Sequence, residues 1–389
     1  MPSATQFMKE EYPDSKSDLF AGFIKRCTNL AGPRGTVAMI TMQSWMFLSS
    51  YEKLRAALLA KQRITSMLHL GAHAFDSIGG EVVSSTAFVL ENVPPEARGP
   101  ALKRTGTFVR LINGTSEADK AAALRTALEV RTKESGFHLA SDADFAAIPG
   151  SPIVYWLSEK MLGVWPAGVP LSTISEPRQG LITGDGESFV RLWWESSCSQ
   201  TSFVAESRLA AKVSRARWFP YNKGGEYRKW YGNHEYLVNW EDDGRAVRTL
   251  GTESGGRARS RPQNVDYYFK PTVSWSNVSS GSPAFRIFPA GFIAAGSTGD
   301  GVYPNDEDTS MSLLGILNSS VAEAILAATS PTLTFNVGTI AALPVVQTDD
   351  NRTVAWSTRR LVAQSQDDWN SIETSWDFSA NPLVDLAKG

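Results

Sequence analysis

The sequence predicts two folded parts, a partial α/β sheet followed by an α+β domain. Three observations predict it. The chain has 389 residues, more than one core usually organises. Residues 16–112 alternate helix and strand signals. From about residue 166 the texture turns to short strands broken by Gly, Pro, Ser and Asn.

Ser17 or Asp18 is placed to cap a helix over "SDLFAGFIKRCTNL", in which Leu19, Phe23, Ile24 and Leu30 recur near one face before "AGPRG" stops it. "TVAMITM" reads as a strand, "SSYEKLRAALLAKQ" as a helix and "ITSMLHLG" as a second strand. A Gly-rich bend at "DSIGGE" precedes the strands "VVSSTAFVLEN" and "TGTFVRLIN". This order is half of a doubly wound sheet. The βαβ unit with a Gly-rich first turn, which opens a nucleotide-binding sheet, has no counterpart before residue 16, so the front of the domain is expected to be missing. Residues 116–135 read as a solvated connector helix, and 151–164 as a helix joining the two parts. The expected boundaries are therefore 1–150, 151–164, 165–346 and an acidic tail or linker at 347–389, which carries seven acidic and four basic residues. Within the second part, "MSLLGILNSSVAEAILAAT" predicts one amphipathic helix.

Hydrophobic residues at 42% and charged residues at 20% fit a globular protein and exclude wholesale disorder. No apolar run reaches the ~18 residues of a membrane span, and the start "MPSATQFMKEEYPDSKSD" lacks a signal peptide's apolar segment, so a cytoplasmic protein without a membrane partner is expected. Cys27 and Cys198 stand alone, and His69, His73, His138 and His234 are scattered, so no metal site is expected. Gly-x-Ser-x-Gly, His-Glu-x-x-His and Walker motifs are absent. "GSTGDG" at 296–301 reads as a surface turn, and Asp242 with Asp243 as a hairpin loop. No self-contained catalytic site emerges.

Residues 205–270 hold thirteen Lys and Arg against eight Asp and Glu, a local +5 in a chain of net charge −2. Inside this segment lies "RWFPYNKGGEYRKWYGNHEYLVNW", with three Trp, four Tyr and four Lys or Arg. Strand alternation here sets Tyr227, Lys229 and Tyr231 on one face and Arg228 and Trp230 on the other. Cations attract phosphates and rings stack on bases, so Tyr221, Asn222, Lys223, Arg228, Lys229, Trp230, Tyr231 and Asn233 are candidate DNA-binding residues. The bland reading sends the rings to a β core and leaves the cations solvated. Arg178, Gln179, Thr183 and Arg191 form a second candidate cluster, and Arg257, Arg259 and Arg261 a third, in a Gly-rich loop suited to a phosphate backbone. Twelve Trp also suit sugar stacking, but the accompanying Arg and Lys favour phosphate.

A family resemblance runs through nearly the whole chain. "YPDSKSDLFAGFIKR", "MLHLGAHAFDSIGGEVVSSTAFVL", "EPRQGLITGDGESFVRLWWE" and above all "WFPYNKGGEYRKWYGN" resemble consecutive blocks of the large adenine-specific DNA methyltransferases of bacterial phage-defence loci, the BREX-type PglX proteins, and of fused restriction-modification enzymes. The resemblance implies a class I methyltransferase fold that uses S-adenosylmethionine and flips an adenine, followed by a target recognition domain like those of type I restriction specificity subunits, a likeness carried by "LLGILNSSVAEAIL" and "ALPVV". It aligns Asp18, Leu19 and Phe20 with a block near the cofactor and base pocket. The family's Asn-Pro-Pro-Tyr tetrad is absent, since "NVPPE" lacks its order and its aromatic, and the cofactor loop is absent as well. The expected function is sequence-specific duplex DNA recognition within such an enzyme. S-adenosylmethionine is then bound by the complete protein and not by this chain alone, with double-stranded DNA, the missing methyltransferase half or other defence subunits as partners. The alternative is a non-catalytic DNA-binding or specificity factor.

Overall fold

The computed structural model describes residues 3–78, 83–94, 105–252, 255–278, 281–330, 334–347 and 350–386. They fall into two units, Met1–Ala167 and Gly168–Gly389. Gly79, Gly80 and Glu81 of the expected bend, and Pro95 and Glu96 of "NVPPE", lie outside the described residues.

The first unit is built on strands β1 (Thr36–Met42), β2 (Gln62–Gly71), β3 (Ser85–Asn92), β4 (Thr105–Arg110) and β5 (Phe137–Ser141), in the order β1-β3-β2-β4-β5. The doubly wound expectation needs correction, because only β2 and β4 pair in parallel. The helix Glu52–Lys61 carries the chain from β1 to β2 in the same direction. The β2–β3 connection has no helix among its described residues, so β3 returns antiparallel and fills the gap between them. Alternation assigns the faces. Val37 opposite Leu90 and Met39 opposite Phe88 point to the side where Leu54 and Leu58 of Glu52–Lys61 are buried. Burying each such side chain contributes about 2 kcal/mol. On the other side the helix Glu117–Val130 covers Leu68, Val109 and Leu111 with Leu124 and Ala127, and Lys120 Nζ donates to the Leu70 and Leu111 carbonyls. It is a packed helix, not the solvated connector its charges suggested. Beyond it Ala38, Ile40, Ala87 and Val89 line an open hollow of about 310 Å³.

The joining helix expected at 151–164 does not form. Ile153, Val154 and Tyr155 are all buried, and three consecutive buried side chains are more than one helical face presents. Only Glu159–Leu162 and Val164–Ala167 are helical.

The second unit contains a sheet of β7 (Glu176–Arg178), β13 (Thr272–Trp275), β14 (Phe285–Phe288) and β16 (Gly301–Tyr303). A second sheet joins β9 (Val190–Leu192), β10 (Trp218–Asn222), β11 (Tyr236–Asn239) and β15 (Ile293–Ala294). Two short ribbons pair β6 (Val169–Pro170) with β17 (Pro344–Val345) and β8 (Leu181–Ile182) with β12 (Arg261–Pro262). The expected single helix at 311–329 is two helices, Glu307–Leu317 and Ser320–Thr329, bent by 65°. The break has a cause: Asn318 leaves the helix to bond the Phe285 N–H and carbonyl, and Ser319 Oγ caps the next helix at the Ala322 N–H. This pair passes a membrane test by length and composition, but no single described helix does, and its Leu313, Leu314, Leu317, Ile325 and Leu326 are core residues.

The tail also departs from expectation. Asn351–Asn370 is a 20-residue helix packed on Glu307–Leu317, with Ala355, Thr358 and Trp369 buried and Arg359 bridging to Glu307 and Asp308. A charge count missed its apolar stripe; the segment is part of the second unit's core. Asp242, Asp243 and Gly244 form a left-handed turn opening the helical stretch to Thr249, and not a hairpin loop; Asp243 pairs with Arg208 at 2.6 Å.

Candidate nucleic-acid interface

The ring-and-cation ribbon is not a strand. β10 ends at Asn222 and β11 begins at Tyr236, so residues 223–235 are loop and the expected alternation of Tyr227, Lys229 and Tyr231 against Arg228 and Trp230 does not arise. Most of the rings go inward; Tyr227 does not. Tyr221 and Tyr231 are buried, and Tyr221 Oη donates to the Leu181 carbonyl. Trp230 is half-buried and its backbone N–H donates to the Phe285 carbonyl. Asn222, Asn233 and Thr183 are buried too, Asn222 bonding Ser274 and the Gly299 carbonyl, and Asn233 the Glu226 carbonyl.

Two of the four cations in the ribbon are held internally. Arg228 pairs with Asp368 at 2.8 Å and lies over the Trp369 ring, while Lys229 donates to the Asn318 carbonyl at 3.1 Å with Glu323 at 3.9 Å. Beneath them Arg286, fully buried, binds the Arg228 and Glu226 carbonyls. Burial pulls its pKa down to about 10, with Arg228 adding repulsion. The expectation of one flat cationic face at 217–240 is therefore corrected: this loop is clasped from below and by the C-terminal segment. In the second cluster, Arg178 pairs with Glu176 over the Tyr267 ring, Gln179 accepts from Gln263, and Arg191 donates to the Glu187 and Val190 carbonyls. These are chiefly structural commitments.

What remains outward is a different set. Lys223, Arg257, Arg259 and Arg261 are exposed and form no ion pair among the described residues. The Lys223 ammonium rests 4.6 Å from the Tyr236 ring centre, and Tyr227 is 61% exposed. The fold brings their loops to one edge. β8 pairs Ile182 with Arg261, and the Gly184 backbone lies against that of Arg259. The Gly296 N–H donates to the Leu181 carbonyl at 2.9 Å. Gly224, at φ 83°, lies so close to Thr298 that a Cβ there would collide with its carbonyl. Loops 183–187, 223–226, 255–261 and 296–299 thus form one continuous strip, positive at both ends, with Ser297 and Thr298 exposed between. Asp185, whose pKa is lowered chiefly by the Ser188 N–H and hydroxyl, adds an acidic group beside Arg259. Sequence reasoning dismissed Ser297 and Thr298 as a turn; the tight glycine spacing around them was the available signal.

In the first unit, Asp18 starts the helix Leu19–Leu30 without a side-chain cap bond, Leu19 is 55% exposed, and Phe20 packs on Tyr51 at 5.6 Å between ring centres. These three residues are consecutive at one helix start, too few by themselves to surround S-adenosylmethionine, so they do not fit it as a complete site. No cluster of metal ligands exists among the described residues.

The family described as Eco57I restriction-modification methylase matches residues 2–75. The chain is 38% identical over 388 residues to the adenine-specific methyltransferase PglX of Lacticaseibacillus casei (strain Zhang), covering 97% of this chain and 31% of that protein. It is 36% identical over 383 residues to the adenine-specific methyltransferase BrxX of Escherichia coli O9:H4 (strain HS), covering 98% of this chain and 29% of that one. Among solved structures, the type IIL restriction-modification enzyme MmeI in complex with DNA matches all of this chain and 50% of its own, with TM-score 0.57 at 11% identity, a likeness of fold. The fold is thus that of restriction-modification methyltransferases. Within that class the chain is similar to the adenine-specific methyltransferases PglX and BrxX, of whose length it spans under a third.

Proposed function

We propose that Gly168–Gly389 is a target recognition unit that reads duplex DNA through the four-loop strip, within an S-adenosylmethionine-dependent adenine-specific DNA methyltransferase of a bacterial restriction-modification or phage-defence system. The observation that carries this reading is the convergence of Lys223, Arg257, Arg259 and Arg261, exposed and without ion pairs among the described residues, on one edge. Cations left unpaired in this way are suited to releasing counterions from a phosphate backbone. Met1–Ala167 serves as the rear of the methyltransferase sheet. Its open apolar hollow at Ala38, Ile40, Ala87 and Val89 takes the remainder of the catalytic fold, which carries the methyl donor and the adenine grip. The incomplete Asp18–Phe20 remnant favours a second reading for these 389 residues taken alone, a DNA-binding specificity factor without catalysis. Titrating a duplex with the chain over a range of salt tests the main reading: affinity should fall steeply as salt rises, and binding indifferent to salt refutes it.

A further inference from the structure

The "GSTGDG" segment is held by more than a turn requires. Asp300 is fully buried and forms no ion pair among the described residues. Its carboxylate accepts the Ser297 N–H at 3.2 Å, Asn277 Nδ2 at 2.7 Å and the Gly180 N–H. Its backbone carbonyl accepts the Ser274 hydroxyl at 2.7 Å; Ser274 also bonds Asn222, whose Oδ1 accepts the Gly224 N–H at 3.2 Å. The buried side chain therefore reaches the turn at Gly180 and the tip at Ser297, while the backbone carbonyl of the same residue reaches, through two relays, the loop at Gly224. Burying a carboxylate without a cation is costly, and burial raises this one's pKa. An ordinary surface turn needs none of this.

What the network holds is a strained, outward-facing tip. Ser297 sits at φ 69°, a left-handed conformation that disfavours a side chain, yet its side chain and that of Thr298 are exposed. Gly299 packs so close to Asn222 that a Cβ would strike its carbonyl. The two hydroxyls stand between Lys223 on one side and Arg259 with Arg261 on the other. Cations that grip phosphates fix the register of a duplex, and short hydroxyl side chains between them are suited to base edges in a groove.

We infer that Ser297 and Thr298 are specificity-determining residues that contact bases, and that Asp300 is the positioning residue that fixes their loop. This rests on the strip being the DNA-facing edge. The test selects bound duplexes from a pool with a randomised centre, using the full 389-residue chain and its variants, and compares base preferences by sequencing. Ser297→Gly suits the left-handed backbone and Thr298→Ala lies at the exposed tip, so both should melt as the wild type does. Each should lose roughly three- to tenfold of the preference at one or two positions, the worth of one hydrogen bond, while affinity for the unselected pool stays within about twofold. Asp300→Ala should flatten the same positions. Asp300→Asn should preserve them, because Asn277, whose Oδ1 has no partner among the described residues, can turn over to accept. If Asp300→Ala does not fold, the Ser297 and Thr298 variants decide. Unchanged preferences in those two variants, a uniform loss across all sequences, or a wild type that binds duplexes without preference would each overturn the inference while leaving DNA binding intact. A wild type that binds no duplex at all would overturn the parent reading and this inference with it.

Discussion

Replacing Arg257, Arg259 and Arg261 together by Ala isolates the cationic strip from the rest of the fold. All three are exposed, and none has an ion-pair partner among the described residues, so their loss leaves no buried charge unpaired. Four phosphate contacts, with Lys223 as the fourth, give a slope of log affinity against log salt of about −3.6, and the triple variant should retain about −0.9. Relative to ~1 M salt, each contact contributes about 0.9 log unit at ~0.1 M, so the loss there is at most roughly 500-fold. Fluorescence anisotropy of a labelled duplex between ~50 and ~200 mM salt reads both quantities. The control is Arg228→Ala with Lys229→Ala. Because these two cations are engaged by Asp368, Trp369 and the Asn318 carbonyl, the control should keep the wild-type slope and lose about 1 kcal/mol of stability, discounted for their partial exposure. A triple variant whose slope equals that of the wild type, or a control whose slope flattens, would refute the assignment of free and committed cations.

His234 is enclosed by Tyr231, Phe288, Phe292, Trp369 and Trp376, and burial, then Arg286, pull its pKa from 6.5 to about 3. The neutral ring is the folded form, so stability is full above ~6.5 and is lost as pH falls toward ~3, by at most about 1.4 kcal/mol per unit. Denaturant melts of His234→Phe across this window should show a shallower pH slope than the wild type; an equal slope would remove His234 as a contributor. Ile40, 58% exposed on the open sheet face, should tolerate Asp in the isolated chain within about 0.5 kcal/mol. The same Ile40→Asp change should block methyl transfer in the full-length enzyme, and full activity there would show that nothing packs on that face. The 389-residue chain incubated with labelled S-adenosylmethionine and duplex DNA should transfer no methyl group, and transfer above background would show that Asp18–Phe20 belong to a working pocket.

The positions of the first unit's helix over Leu19–Leu30 and strands at Thr36–Met42 and Gln62–Gly71 were legible because stop signals are local, but the helix's face was misread. Leu19, Phe23 and Leu30 are exposed, and Ala21, Gly22, Ile24 and Thr28 are the buried side, because which face packs is set by its neighbours in space. Strand direction was not legible. Nothing inside Ser85–Asn92 tells that it runs back between two parallel neighbours; the connection before it does. The tail misled for a similar reason, since its acidic balance is a count and its burial depends on Glu307–Leu317.

By itself the sequence determined the family likeness, the change of texture near residue 166 and the abundance of rings and cations in the middle of the chain. Only the tertiary structure decided which of those cations are free. Arg228 and Lys229 look, in sequence, as available as Arg257 and Arg259. Their partners lie 140 and 89 residues away, at Asp368 and Asn318, and a charge is committed or left to solvent by neighbours in space that no local pattern records.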